Sequence, residues 1–561
     1  MFKDFSPVAA SITTAIQQEF KFDYRTAEEY YQACIDIHSK QDIEKGRKWI
    51  KEALEQELYG YLQKAAELES VLCFQYLYAA FSMKKYPEEL TNSDENTRNR
   101  QLEMVRRWEA RILYVARQEM EHLNLVQNLL VFLQREPYLQ RPNFPVSSSE
   151  NPLGYPINLM RFDKRAVETF RFWEKPDELK LPFPDGGISK IDPFDQDKVT
   201  IESWDRLHYL CEECSKSEKG MTHVGNSGQL TIEELYTRID VFFYFLLEQE
   251  ILESKDININ RIVEEHFGFN ISLEPIVKGK YFQYVHDVIS QILDEGEGAW
   301  GVAPALGSHF MVYQDILNEY EEELGKDSSF EPGLPGVENP TYNPNNPGTV
   351  VTNKIGAFAM ELFNQAYGIL DYMLYGFFNS YAIDYTTGIR PPVPNSFFRT
   401  SFYPFMTMVI RPLGEMVSRL PAFEGENCVG GNVPKNTAGP NFYYDTSRTG
   451  WPIKYRKLHK LMTNKKPVEK GNKFHTEIGS DMKVAFSELS KNTAELKQMI
   501  VSAGYEMANY QQPDARSFGT RLEYLKENID RISINFNAYW DGEIIAPIPS
   551  ENFQNFSNQY N

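Results

Sequence analysis

Between Ala65 and Leu133 the chain carries acidic and imidazole side chains on segments whose periodicity demands a buried face. Two helical segments lie here, ELESVLCFQYLYAAFSMKK and EARILYVARQEMEHLNLVQNLLVFL. In the second, Glu119 and His122 stand three residues apart, so on a helix they share one face about one turn apart. Leu113, Val115, Leu123, Val126, Leu129 and Leu130 flank them. Burying a carboxylate among such residues is costly unless something pairs with it, and a metal ion is one such partner. Helical bundles that hold two irons take a lone Glu from each of two helices and a Glu-x-x-His from each of the other two. Glu69 on the first segment would be a lone Glu. Tyr76 lies seven residues on, on the same face two turns later. On a solvated helix the same Glu-x-x-His is an ordinary pair of polar residues, so the rest of the chain has to supply the other half of a site.

With 561 residues, 42% of them hydrophobic, the chain is long enough for a large core and for more than one domain. Its 33 Tyr and 37 Phe suit a big core or an apolar pocket. A formal net charge of −21 repels phosphate backbones and anionic lipid, which argues against nucleic acid and membrane surfaces as partners. No run of about twenty apolar residues predicts a membrane span. The opening MFKDFSPVAASITTAIQQEF does not read as an export peptide. Five cysteines argue against a disulfide framework, and a reducing cytoplasm is the expected location.

Periodicity predicts helices over 55–84, about 100–134, 163–174, 231–254, 281–297, about 305–324, 353–384, 397–420, about 473–510 and 516–536. Pro-rich loops are expected over 135–156 and 176–200, a Pro/Asn/Gly linker over 327–349 and a Gly/Asn-rich loop over 422–452. The domain reading is an N-terminal helical extension over 1–50 and a bundle with inserted loops over 51–326. Accessory helices over 351–421 and a C-terminal helical region over 422–561 follow. Thr231 and Glu234 form an S/T-x-x-E capping box, so Glu234 has a purely structural use as well as a ligating one. Glu297 ends an apolar-periodic run and His309 opens the next. The Gly-rich stretch between them could fold both towards one point, or they are a frayed-end charge and a core histidine. His208, Cys211, Cys214 and His223 suit a structural zinc, the Cys-x-x-Cys pair also suits thiol redox chemistry, and unrelated thiols on a helix are the third reading.

Taken together, AAELESVLCFQYLYAAFSM, VARQEMEHLNLVQNLLVFL, TIEELYTRI, ISQILDEGEG, GSHFMVY, LFNQAYGILDYML and RPLGEMVSRLP resemble the ferritin-like domain of the iminophenyl-pyruvate dimer synthase family. Those enzymes couple amino-acid-derived imines in violacein and rebeccamycin biosynthesis. The resemblance spans most of residues 55–421. It implies an all-α fold, a ferritin-like four-helix bundle with additional helices and long loops. It also implies a metal set: Glu69, Glu119 and His122, then Glu234 with Glu233 as the competing choice. Glu297, with Glu295 as its competitor, and His309 replace the second Glu-x-x-His. Tyr76 is the catalytic candidate beside Glu69.

Four carboxylates and two imidazoles suit two Fe(II) or Mn(II) ions, with open positions for O2. The function expected is therefore a metal-dependent oxidative enzyme of specialised metabolism. Its substrate would be an amino-acid-derived or aromatic small molecule, with a homodimer as the expected assembly. The alternatives are a haem-dependent imine-coupling enzyme, since some members of that family are associated with haem, and a non-catalytic helical assembly protein with an idle bundle.

Overall fold

The computed structural model describes residues 43–92, 94–135, 137–176, 231–248, 252, 257, 281–296, 307–379, 401–429, 431–443, 473–507 and 517–540. The Cys/His quartet at His208, Cys211, Cys214 and His223, the loop after Pro176 and residue Glu297 lie outside them, as does the side chain of Glu234.

Most of the described residues are helical. Two long helices, α1 (Ile43–Phe81) and α2 (Glu95–Phe132), pack along each other. Asp94 fixes where α2 starts: its carboxylate accepts the Thr97 amide, one of the donors a helix N-terminus leaves unpaired. The short α3 (Lys164–Trp173) starts at Asp163 in the same way. Helix α4 (Ile232–Glu248) begins directly after Thr231, where the capping-box pattern predicts it. It packs on α1 and on α5 (Tyr281–Gly296), and α5 packs back on α2, closing a four-helix bundle. Helix α6 (His309–Lys326) is capped by Ser308 and packs on α3, so these two form a pair laid against the bundle. Leucines, valines and aromatics from all six helices meet in one buried core.

Residues 327–349 do not behave as the expected linker. Phe330, Leu334 and Val337 are buried. Lys84 N–H donates to Pro332 O, Leu334 N–H to Ser82 O and Val337 N–H to Thr437 O. The segment is a strap across the end of α1, because its few apolar residues dock and its backbone amides find acceptors. Two short strands, β1 (Pro340–Thr341) and β2 (Thr349–Val350), pair in parallel within it.

Beyond the strap run α7 (Lys354–Asn379), α8 (Arg411–Val417), α9 (Lys473–Ser502) and α10 (Phe518–Trp540). The helix expected over 397–420 contains a π turn, Met406–Ile410, directly before α8. Pro412 in the first turn of α8 has no amide to give and crowds the carbonyl one turn back, so the ladder widens there. α8 lies close to α1: a Cβ on Gly414 would come within 2.6 Å of the Phe81 ring. Buried charge ties the two parts together. The Arg419 guanidinium donates to Glu89 and to the Met83 carbonyl, and Lys85 pairs with both Glu109 and Glu415.

Candidate metal centre

Inside the bundle, α1 supplies Glu69 and α2 supplies Glu119 and His122. Glu174, the residue that ends α3, and His309, the first residue of α6, arrive from the outer helix pair. All five are almost fully buried. Their donor atoms form two triads, Glu69–Glu119–His122 and Glu119–Glu174–His309, each with its atoms within 4.8 Å of one another.

Glu119 belongs to both triads. Its Oε2 lies 3.3 Å from His122 Nδ1 and its Oε1 lies 3.1 Å from His309 Nδ1. Glu69 Oε2 stands 3.4 Å from His122 Nδ1, and Glu174 Oε2 stands 3.4 Å from His309 Nδ1. The two imidazole rings stack at 5.5 Å between centroids. Glu69 Oε2, Glu119 Oε1 and His309 Nδ1 are buried with no hydrogen-bond partner. Buried polar atoms are normally paired, so unpaired lone pairs converging from separate helices mark a place for a cation. Three carboxylates and two imidazoles fit divalent iron or manganese, and three protein donors per ion leave positions open.

The remaining contacts fix these ligands. The Tyr236 hydroxyl donates to Glu69 Oε1 and the Tyr76 hydroxyl to Glu174 Oε1, leaving each Oε2 to face its triad. Burial, and then the neighbouring carboxylate, pushes both phenols well above their ordinary range, so they remain donors. Gln118 and Glu295 set the imidazoles. Glu295 can only accept, so the Gln118 amide nitrogen faces it at 2.9 Å, which turns Gln118 Oε1 to His309 Nε2 at 3.2 Å. The neutral form of His309 that an ion would bind therefore carries its proton on Nε2 and presents the Nδ1 lone pair inward. Glu295 Oε2 also lies 3.4 Å from His122 Nε2, so one carboxylate steadies both sides.

Electrostatics balances the cluster. Burial pushes Glu69 up to about 7 against the pull of His122. Burial and Glu174 work against the Glu119 carboxylate, yet His309 and His122 hold it below its usual range. Burial opposes charge on His309, but Glu119 and Glu174 raise it to about 9. His122 is raised well above its ordinary value, against burial, by Glu119, Glu295 and Glu69. Despite burial, His122 holds Glu295 down to about 2.

Of the residues singled out from sequence, the structure brings together Glu69, Glu119, His122, His309 and Tyr76. Tyr76 stands beside Glu174 through its hydroxyl rather than beside an open position. Among the described residues the carboxylate that joins His309 is Glu174, which the sequence does not signal.

A family model described as Ferritin-like matches residues 62–318, which hold every residue of this centre. Residues 62–318 form a ferritin-like domain. No curated protein matches the chain, and no solved structure does. The ferritin-like domain here draws the two triads from different places: the first from mid-helix positions of α1 and α2, the second from Glu119 and the tips of α3 and α6.

Replacing Gln118 by Leu keeps the volume and removes the amide that orients His309. Metal affinity at the Glu119–Glu174–His309 position should fall about 10- to 100-fold, with the other position nearly unchanged. Titration with Mn(II) against a competing chelator checks this, and equal weakening of both positions would contradict it.

Proposed function

We propose that the chain is a metal-dependent oxidative enzyme acting on an amino-acid-derived or aromatic small molecule. Its two ions would be held by Glu69, Glu119, His122, Glu174 and His309. The division of the Glu119 oxygens between two imidazoles carries this reading, because one bridging carboxylate between two N/O triads is what a pair of ions requires. Reduced iron at the two positions would supply electrons to O2. The chain's own side chains do the rest. Tyr76 and Tyr236 stay protonated and hold Glu174 and Glu69 by hydrogen bonds. Gln118 and Glu295 keep both imidazoles turned to the centre. Phe170, Tyr313 and Tyr76 form an aromatic wall that excludes water. The resemblance to imine-coupling enzymes, together with this aromatic surround, supports the substrate class.

Ions fit these imidazoles better than haem. Each ring has Nδ1 between two carboxylates, and the rings lie 5.5 Å apart, a separation filled by Glu119 rather than by a macrocycle.

Anaerobically purified protein loaded with Fe(II) should hold about two ions per chain. It should also consume O2 in a single turnover. Fewer than about one ion per chain, with no restoration by added Fe(II) or Mn(II), would overturn the reading.

A further inference from the structure

Three phenols are fully buried around the centre, and two of them have an evident task. Tyr236 donates to Glu69 and Tyr76 donates to Glu174. The Tyr313 hydroxyl has no hydrogen-bond partner among the described residues, although the side chain is wholly out of solvent. A buried hydroxyl left unpaired is costly, so its retention calls for an acceptor.

Its position suggests which one. Tyr313 follows His309 by four residues on α6, so the two share a face one turn apart. Its ring is wedged 5.3 Å from Tyr76 and 5.4 Å from Phe170, which prevents it from swinging away. After burial itself, Glu174 and Glu119 act most on its oxygen, keeping the phenol protonated. Those carboxylates are already committed. Glu174 takes the Tyr76 hydroxyl on Oε1 and faces His309 with Oε2, while Glu119 faces His309 with one oxygen and His122 with the other. With an ion on those oxygens, a donor stands on the His309 side of the centre with no hydrogen-bond acceptor among the described residues.

We propose that Tyr313 gives its hydrogen bond to an exogenous group bound at the open position of the His309-side ion, a small anion or an oxygen atom of the substrate. This rests on the two-ion reading above. Tyr313→Phe removes the hydroxyl and little else, and azide is a suitable probe of the open position.

Wild-type and Tyr313→Phe proteins should load the same amount of iron. Azide, followed by optical titration of the oxidised iron-loaded proteins, should bind the variant about tenfold more weakly, the loss of one hydrogen bond. The metal-free variant should melt at the same temperature as wild type or higher, since nothing inside the protein loses a partner. Equal azide affinity at full iron loading overturns the proposal. So does a lower melting temperature of the metal-free variant, which would mean that the hydroxyl is already paired within the fold. Failure of the wild-type protein to take up iron overturns the two-ion reading, and this inference with it.

Discussion

Glu119→Gln should lose both ions at once. The carboxylate gives one oxygen to the His122 side and one to the His309 side, and no other described residue serves both triads. An amide supplies a neutral, weaker oxygen ligand and cannot balance either ion's charge. Iron content should fall from about two ions per chain to well under one. The metal-free variant should suffer too. Two buried imidazoles lose the acid that stabilises their charge, and breaking a buried pair of this kind costs on the order of 3 kcal/mol. Glu174→Gln is the informative control, because Glu174 belongs only to the second triad and its loss should spare the first ion. Elemental analysis and thermal melting of both variants separate the cases. A Glu119→Gln protein that still holds a full complement of iron would exclude the shared-carboxylate arrangement.

Metal uptake should release protons and strengthen as pH rises. His309 keeps its proton until about pH 9, and His122 is raised well above its ordinary value, so at neutral pH both imidazoles are charged in the metal-free fold. An ion binds the neutral ring, so each one displaces about one imidazole proton, and Glu69, lifted to about 7, gives up part of another. Affinity should rise about tenfold per pH unit per ion below pH 9 and flatten at the His309 side above it. Calorimetry in buffers of different ionisation heats counts the protons. Zero release at pH 7 would contradict the charge state described here.

The metal-free fold should show the opposite trend. A raised His309 contributes stability that is complete below its unfolded value of 6.5 and lost as pH climbs through about 9. The effect is on the order of 3 kcal/mol. Glu69 and Asp371, both lifted to about 7 chiefly by burial, act in the same direction: stability falls as pH rises from their unfolded values of 4.5 and 3.8 to about 7, because the unfolded carboxyls ionise first. Glu295, held near 2, acts only at the acid end: its contribution is present above 4.5 and lost as pH falls through about 2. Metal-free protein should therefore melt lower at pH 9 than at pH 6, and metal loading should reverse the order.

The first triad was legible because its residues violate an apolar period. Glu69, Glu119 and His122 are charged or imidazole positions on largely apolar faces, and a helix turns that periodicity into one direction in space. His309 was legible for a weaker reason, as a polar residue opening an apolar helix. Glu174 had no such signal. It is the capping residue of a ten-residue helix and precedes Pro-rich chain, so it reads as a terminal charge. Only the packing of α3 on α6 turns it inward, and that packing joins segments more than a hundred residues apart. In the sequence Glu295 competes with Glu297 as a ligand. The structure sets Glu295 against His122 Nε2 and the Gln118 amide, which periodicity could not have distinguished. The strap over 327–349 reads as a linker in the sequence because Pro and Asn mark turns without saying whether the turns are docked.

Mid-helix residues are braced by backbone ladders on both sides, whereas a helix tip is braced on one side only. Glu69, Glu119 and His122 enjoy the first condition, Glu174 and His309 the second. The two seats thus differ in stiffness although they share a wall. Occupancy should follow from that: on titration with Fe(II) the braced seat should fill first and empty last, leaving a half-loaded chain with its single ion between α1 and α2.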